Sequence, residues 1–388
     1  MELEDAGMPG HVLVAPDKFK GSLSAVEVAE HVAAGLRAAR PEVAVVTMPV
    51  ADGGDGTVEA AVACGFRRVE AVASGPTGEP VTAAYGVKDG VAVVELAEAS
   101  GLHRLTGGRL APLTATSHGT GDLIGAALRE GVGKIVLGLG GSACTDGGSG
   151  MMRALGARLL DARGRELPPG GGALADLRTL DLSGFTPPAG VAFVVASDVD
   201  NPLLGPDGAA AVYGPQKGAS PAELARLEEG LAHWADVAER ELGVRARDDP
   251  GAGAAGGVGF AAMAFLGAEI RPGIGLLLDL LGFADRLSGA RLVITGEGSL
   301  DGQTLRGKAP AGVAEAAGRA GVPVVAVCGR RTLTDDQLRA AGIQAAFALT
   351  DIEDDLRRCM DEAGPLLERL ATTLAAGWLS KAPAHARD

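Results

Sequence analysis

Apolar residues in this chain fall into short runs that alternate with stretches of helical spacing. His11-Val-Leu-Val-Ala-Pro16 is an apolar run ending at a turn, and residues 24–40 carry Val28, Val32 and Leu36 on one helical face behind a Ser24 cap. The pattern predicts a strand feeding a helix. Residues 43–50 repeat it, with Asp52-Gly-Gly-Asp-Gly56 at the carboxyl end of the strand and a helix over 57–64. Towards the other end the same alternation predicts strands at 291–295, 322–328 and 343–349, helices at 308–320 and 334–341, and a terminal helix from 352 to 376. Alternating β and α elements imply a parallel sheet covered by helices on both faces. Two strands from the start and three from the end make one doubly wound α/β sheet, flavodoxin- or Rossmann-like, in a discontinuous domain of residues 1–65 and 289–388.

Residues 66–288 interrupt that domain and read as a second α/β domain. Short strands are expected at 69–72, 81–85 and 91–96, the last two joined by the hairpin signal Lys88-Asp-Gly90. A helix at 120–130, a strand at 134–138, a glycine-rich turn and a helix at 150–155 follow, then a strand at 191–196 and a long amphipathic helix at 221–242. The cleft between the two domains is the expected site, with chain crossings near Phe66 and Ser288 forming a hinge.

Composition narrows the function. The chain has 388 residues, enough for two domains with their own cores, and a net charge of −14, which argues against nucleic acid or anionic membrane as a partner. Small ligands are the expected partners. Sixty glycines without a repeat period point to strand-to-helix turns and ligand loops rather than to a fibrous or disordered chain. Cys64, Cys144, Cys328 and Cys359 lie far apart, with no zinc spacing, which fits a reducing, cytoplasmic compartment; Cys64 and Cys144 read as core or turn residues. The acidic Met1-Glu-Leu-Glu-Asp5 start is unlike a signal peptide, and 251–268, although uncharged, is too rich in Gly and Ala for a membrane span.

Seven polar, glycine-bearing segments fall at predicted strand ends or helix starts, where ligands of open α/β sheets bind. They are Asp17-Lys-Phe-Lys-Gly-Ser22, the 51–57 turn, Ser117-His-Gly-Thr-Gly-Asp122, the 138–150 loop, Ser197-Asp-Val-Asp-Asn-Pro202, Tyr213-Gly-Pro-Gln-Lys-Gly218 and the 295–308 stretch. Each alone is also what an ordinary turn looks like; the common placement is the signal. Gly302-x-x-x-x-Gly307-Lys308 opens like a phosphate-binding P-loop, but Ala309 stands where a hydroxyl would reach Mg²⁺. Gly138-x-Gly140 lacks the third glycine of a dinucleotide fingerprint, which disfavours a nicotinamide enzyme. Asp198 and Asp200, two apart past an apolar strand, have the spacing to share a metal or a substrate hydroxyl, or to form a turn and a helix cap. Lys18 and Lys20 fit an anion site or a solvated surface equally, and His118 a base or a cap.

The ordered set of Ala15-Pro-Asp-Lys-Phe-Lys-Gly-Ser-Leu-Ser-Ala25, Pro49-Val-Ala-Asp-Gly-Gly-Asp-Gly-Thr57, the 138–150 loop, Ser197-Asp-Val-Asp-Asn-Pro-Leu203, Tyr213-Gly-Pro-Gln-Lys-Gly-Ala219 and Thr295-Gly-Glu-Gly-Ser-Leu-Asp-Gly-Gln-Thr304 resembles the bacterial type I glycerate kinase family over about residues 11–375. The resemblance implies a two-domain kinase that moves the γ-phosphoryl group of ATP to D-glycerate, usually at the 2-hydroxyl, with Mg²⁺. Ser299 stands where the family often carries Arg, which shifts the phosphate-binding expectation to Arg306 and Lys308. Phosphoryl transfer needs donors and cations for phosphate, a carboxylate for Mg²⁺ and an acceptor for the hydroxyl proton. On that basis Asp198 is assigned as base and Asp200 as metal ligand, or the reverse, with Glu297 and Asp301 as further Mg²⁺ candidates. Lys18 and Lys20 would hold the glycerate carboxylate or the transferring phosphate. Gly140, Gly141, Ser142, Thr145, Lys217, Arg306, Lys308 and Asp52 would line the substrate and nucleotide phosphates. A kinase for another small hydroxy acid, and a non-catalytic sensor that binds glycerate, are the alternatives; no oligomeric state is implied.

Overall fold

The computed structural model describes residues 10–379, apart from the side chain of Arg306. The acidic N-terminal segment singled out in the sequence lies outside the described residues. Thirteen strands occur among the described residues: β1 (His11–Pro16), β2 (Val45–Thr47), β3 (Arg67–Ser74), β4 (Pro80–Lys88), β5 (Val91–Glu95), β6 (Lys134–Gly138), β7 (Arg158–Leu160), β8 (Thr179–Asp181), β9 (Ala192–Ala196), β10 (Glu269–Arg271), β11 (Ala290–Leu300), β12 (Val324–Arg331) and β13 (Ile343–Ala348). They divide between two compact units, Met1–Ala51 with Ile274–Asp388, and Asp52–Gly273.

In the first unit a five-stranded sheet has the order β13-β12-β11-β1-β2, with every neighbouring pair parallel. Val12, Val14, Ile294, Val325 and Val327 point to one face, where they pack with Val28, Val32 and Leu36 of the helix Ala25–Ala39 and with Leu367, Leu370 and Leu374 of the helix Ala363–Trp378. Residues of the other parity, Leu13, Val293 and Ala326, are equally buried, so both faces are covered. The helix Ala25–Ala39 starts where Ser24 and Glu27 form a reciprocal capping box.

The second unit holds a six-stranded sheet of order β10-β9-β6-β5-β4-β3 and the two-stranded β7-β8. Its strands β10, β9, β6 and β5 run parallel, whereas β5, β4 and β3 are antiparallel. The β4–β5 hairpin turns on Asp89 (φ 49°) and Gly90 (φ 75°), the two left-handed residues that a two-residue hairpin loop requires. The helix Pro221–Leu242 starts at a Ser220/Glu223 capping box and buries Leu227, Leu231 and Trp234, the last stacked on Phe265 with ring centroids 5.5 Å apart.

Several expected boundaries move. The units divide at 51/52 and 273/274 rather than at 65/66 and 288/289. The helix Thr57–Ala63 packs on β4 and β5, and Ile274 packs against Gly312 of the helix Ala309–Arg319. The strand expected to stop at Thr295 continues to Leu300, because β12 keeps pairing with it through Ser299↔Arg330 and Leu300↔Arg331. The single terminal helix is two, Leu356–Asp361 and Ala363–Trp378: Asp355 caps the first by accepting the Arg357 and Arg358 N–H groups, and Glu362 leaves helical geometry between them. Strands β7, β8 and β10 are too short to carry a legible pattern. No helix among the described residues is long and apolar enough to cross a membrane.

Candidate active site

In the second unit Asp198 follows β9, and although the residue is exposed its carboxylate turns inward: Oδ1 accepts the Gly273 N–H at 2.8 Å. Loss of water around the group, with the nearby Asp52 carboxylate adding repulsion and the Gly273 N–H working against both, pushes its pKa up to about 6. Asp52 opens the turn that leads into the helix Thr57–Ala63 and accepts the Gly54 N–H through Oδ1 at 3.0 Å. That turn is glycine-rich for steric reasons. A Cβ on Gly53, itself at φ +94°, would lie 2.5 Å from the Ala196 carbonyl oxygen, and one on Gly140 would lie 2.4 Å from Gly54 Cα. Asp200 is exposed and sits close enough to Tyr213 to raise its phenol, after burial, while Tyr213 donates to Asn201 Oδ1 at 2.5 Å. The two aspartates thus have different neighbours, Asp198 the Gly273 amide and Asp52, Asp200 the Tyr213 ring.

The 138–150 loop is held from two directions. Lys217, only 2% exposed, donates from Nζ to Ser142 Oγ at 2.8 Å and to the Cys144 carbonyl at 2.5 Å. Burial pulls its ammonium below the ordinary range, with Cys144 and Asp146 acting to hold it charged. At the loop's far side Asp146, fully buried and passed over by the motif reading, accepts the N–H groups of Ser117 (2.8 Å), Gly148 (3.1 Å) and Gly150 (3.1 Å) and the Ser117 hydroxyl (2.9 Å). Its signal was available as the one carboxylate in that loop. Trp234 Nε1 donates to the Gly147 carbonyl at 2.9 Å. Thr145 Oγ1 is buried and finds no hydrogen-bond partner among the described residues, and Gly140 and Gly141 are half-buried. The structure therefore brings Ser142, Thr145 and Lys217 together. His118 is the first residue of the helix His118–Arg129, which has no side-chain cap, and it makes a 3.4 Å i,i+4 contact with Asp122, so it does not cap that helix.

In the first unit the Asp17-Lys-Phe-Lys turn follows β1, with Lys18 half-buried and Lys20 exposed, and Asp17 Oδ1 accepts the Lys18 N–H at 2.7 Å. It lies beside β11: the Asp17 N–H donates to the Gly296 carbonyl at 2.8 Å, and a Cβ on Gly298 would be 3.3 Å from the Lys20 nitrogen. Glu297, buried on β11, accepts the Thr304 hydroxyl and pairs with Lys308 Nζ at 3.4 Å. Burial raises its pKa, Thr304 and Lys308 counter this, and Asp301 adds to it. Asp301 accepts the Gln303 N–H at 2.8 Å and the Ser299 hydroxyl at 3.2 Å, so Ser299 orients a carboxylate. Arg306 closes the 3-10 turn Thr304–Arg306, and its side chain lies outside the described residues. No cluster of three or more His, Cys, Asp or Glu side chains forms a metal cage among the described residues. The donors on offer are carboxylate oxygens, the hard ligands that suit Mg²⁺ held by one or two side chains together with substrate phosphates.

Comparison with known proteins bears on this arrangement directly. Residues 12–379 match the Glycerate kinase family. The chain belongs to that family. It is 46% identical over 369 residues to a glycerate kinase of Bacillus subtilis (strain 168), an alignment covering 94% of this chain and 97% of the relative. It is 45% identical over 377 residues to a glycerate 2-kinase of Escherichia coli (strain K12), covering 94% and 98% of the two chains. A crystal structure from Salmonella typhimurium LT2, assigned to glycerate kinase 2, superposes with a TM-score of 0.80 at 42% identity over 96% of this chain and all of that one. Membership of a kinase family makes this chain an enzyme, so the sensor reading is set aside. It is a mixed α/β protein with parallel sheets.

Proposed function

We propose that this glycerate kinase family member transfers the γ-phosphoryl group of ATP to the 2-hydroxyl of D-glycerate, with Mg²⁺ as the metal. The observation that carries the reading is Asp198, a carboxylate at the end of a parallel strand whose pKa of about 6 leaves it ionised at neutral pH yet basic enough to take a hydroxyl proton. The name of the Escherichia coli relative favours the 2-phosphate product.

In this reading Asp198 accepts the proton of the attacking hydroxyl, with the Gly273 N–H fixing its orientation. The 138–150 loop lines the nucleotide phosphates, while Lys217 and Asp146 keep it in shape. Lys18 and Lys20 meet the glycerate carboxylate or the transferring phosphate, and Lys308 adds positive charge. Bound Mg²⁺ would neutralise phosphate charge; Glu297 and Asp301 are our candidates for its protein ligands, with Asp200 as the other. The parallel strand order of the first unit supports reading it as a discontinuous doubly wound domain into which the second unit is inserted. A reducing, cytoplasmic setting accords with four buried cysteines and no disulfide among them.

The test is coupled ADP release with D-glycerate, ATP and Mg²⁺, with the product identified by ³¹P NMR. Formation of 2-phosphoglycerate is expected. A 3-phosphate product would overturn the regiochemistry, and turnover only with a different hydroxy acid would overturn the substrate.

A further inference from the structure

Glu95 ends β5 and is 3% exposed, a costly place for a carboxyl group. Its Oε1 accepts the Gly56 N–H and its Oε2 the Val58 N–H, each at 3.1 Å. The helix Thr57–Ala63 begins after Gly56, which is left-handed (φ 91°) and has no side chain with which to cap it. A carboxyl group from a neighbouring strand supplies the missing acceptors.

The turn secured in this way is the one that seats Asp52. Gly140 N–H donates to the Gly53 carbonyl at 3.1 Å, and a Cβ on Gly138, the residue paired with Glu95 in the sheet, would fall 2.6 Å from the same oxygen. At the turn's start the Asp52 carbonyl oxygen lies 2.0 Å from where a Cβ on Gly273 would be, and Gly273 is the donor to Asp198. A continuous path of close backbone approaches therefore runs from Glu95 through residues 56 to 52 to the amide that orients Asp198. We infer that Glu95 is a positioning residue of this enzyme: by holding Gly56 and Val58 it fixes the Asp52-Gly-Gly-Asp-Gly56 turn, and through it the orientation of the Asp198 carboxylate. The inference rests on the proposed role of Asp198. Misplacing a reacting group by an ångström is enough to cost a large part of its rate contribution.

The test compares Glu95→Ala, Glu95→Gln and Asp198→Asn in the full chain, by steady-state kinetics with D-glycerate and ATP and by amide hydrogen exchange at Gly56 and Val58. Glu95→Ala should lower kcat by about tenfold or more while KM for D-glycerate changes by less than about threefold, with faster exchange at both amides. Glu95→Gln keeps a carbonyl acceptor for one of the two amides and should recover part of the lost kcat. If Glu95→Ala does not fold, Glu95→Asp, whose shorter side chain reaches at most one of the two amides, carries the same comparison. Wild-type kcat in a folded Glu95→Ala protein with accelerated exchange would overturn the link from Glu95 to the site. A loss of kcat that Glu95→Gln does not lessen would overturn it too. Wild-type turnover in Asp198→Asn would instead remove the base assignment, leaving the exchange result at Gly56 and Val58 to be judged separately.

Discussion

Asp198 accepts the backbone N–H of Gly273 through Oδ1 at 2.8 Å, and the other carboxylate oxygen lies 3.1 Å from where a Cβ on Gly273 would be. A side chain at residue 273 would crowd this contact and collide with the Asp52 carbonyl oxygen, 2.0 Å from the same Cβ position. With its pKa raised to about 6, by burial first and by Asp52 after it, Asp198 is protonated below that pH and cannot serve as a base there. We expect kcat to rise with pH through about 6 and Asp198→Asn to lower kcat by on the order of 100-fold or more with the fold retained. A pH–kcat profile that is flat across that value, with near-wild-type turnover in the variant, would take Asp198 out of the mechanism.

Lys217 is enclosed by the loop it was expected to assist. Its Nζ is spent on Ser142 Oγ and the Cys144 carbonyl, so replacing it leaves two buried polar groups short of a donor. Lys217→Met, which keeps much of the side-chain volume, should therefore cost about 1–3 kcal/mol of stability in chemical denaturation, and the loop should loosen with it. Unchanged stability accompanied by a higher KM for ATP would mean that the ammonium serves the ligand and not the loop.

Lys18 sits half-buried in the turn after β1, where Asp17 Oδ1 accepts its backbone N–H at 2.7 Å. Lys18→Ala should reduce kcat/KM by the equivalent of about 1.5–3 kcal/mol, the usual worth of a hydrogen bond to a charged group, chiefly through KM for D-glycerate. If kcat and KM both stay at wild-type values, Lys18 is a solvated lysine.

What the sequence revealed of this protein, and what it hid, follows from how far each signal reaches along the chain. The 221–242 helix was legible to the residue because Ser220, Pro221, Glu223 and Gly243 mark its ends locally. The β4–β5 hairpin was legible from Asp89 and Gly90 for the same reason. The extension of β11 to Leu300 was not, since Gly-Glu-Gly-Ser has the composition of a loop and is a strand only because β12 pairs with it. Among the candidate site residues, the motif order singled out Asp198, Lys18 and the 138–150 loop. It could not foresee that Lys217 is buried beneath that loop, nor that Asp198 and Asp200 face different neighbours. Glu95 and Asp146 escaped notice because each acts on backbone N–H groups far away in sequence, Glu95 on Gly56 and Val58, Asp146 on Ser117. A lone carboxylate ending an apolar run, as in Val91-Ala-Val-Val-Glu95, was the one trace of the former.

Glu95 also ties the stability of the second unit to pH. Burial pushes its carboxyl up to about 8; the Val58 N–H opposes this, Glu98 and Asp55 add to it, and the Gly56 N–H opposes it again. In the unfolded chain the same group titrates near about 4.3. Between those values the folded state keeps a proton that the unfolded state has released, so the free energy of unfolding falls as pH rises. The contribution is complete below the unfolded pKa, declines through the interval, and is lost once pH passes about 8. Glu95→Gln cannot ionise and should lack this slope. Trp234, buried in the second unit, reports its unfolding once Trp378 is replaced by Phe. Urea titrations of the two proteins in that background, from about pH 5 to about pH 8, should show the wild-type side chain losing stability relative to Gln as pH rises. Parallel pH dependences would mean that Glu95 is ionised throughout, held as a carboxylate by its two amides despite its burial.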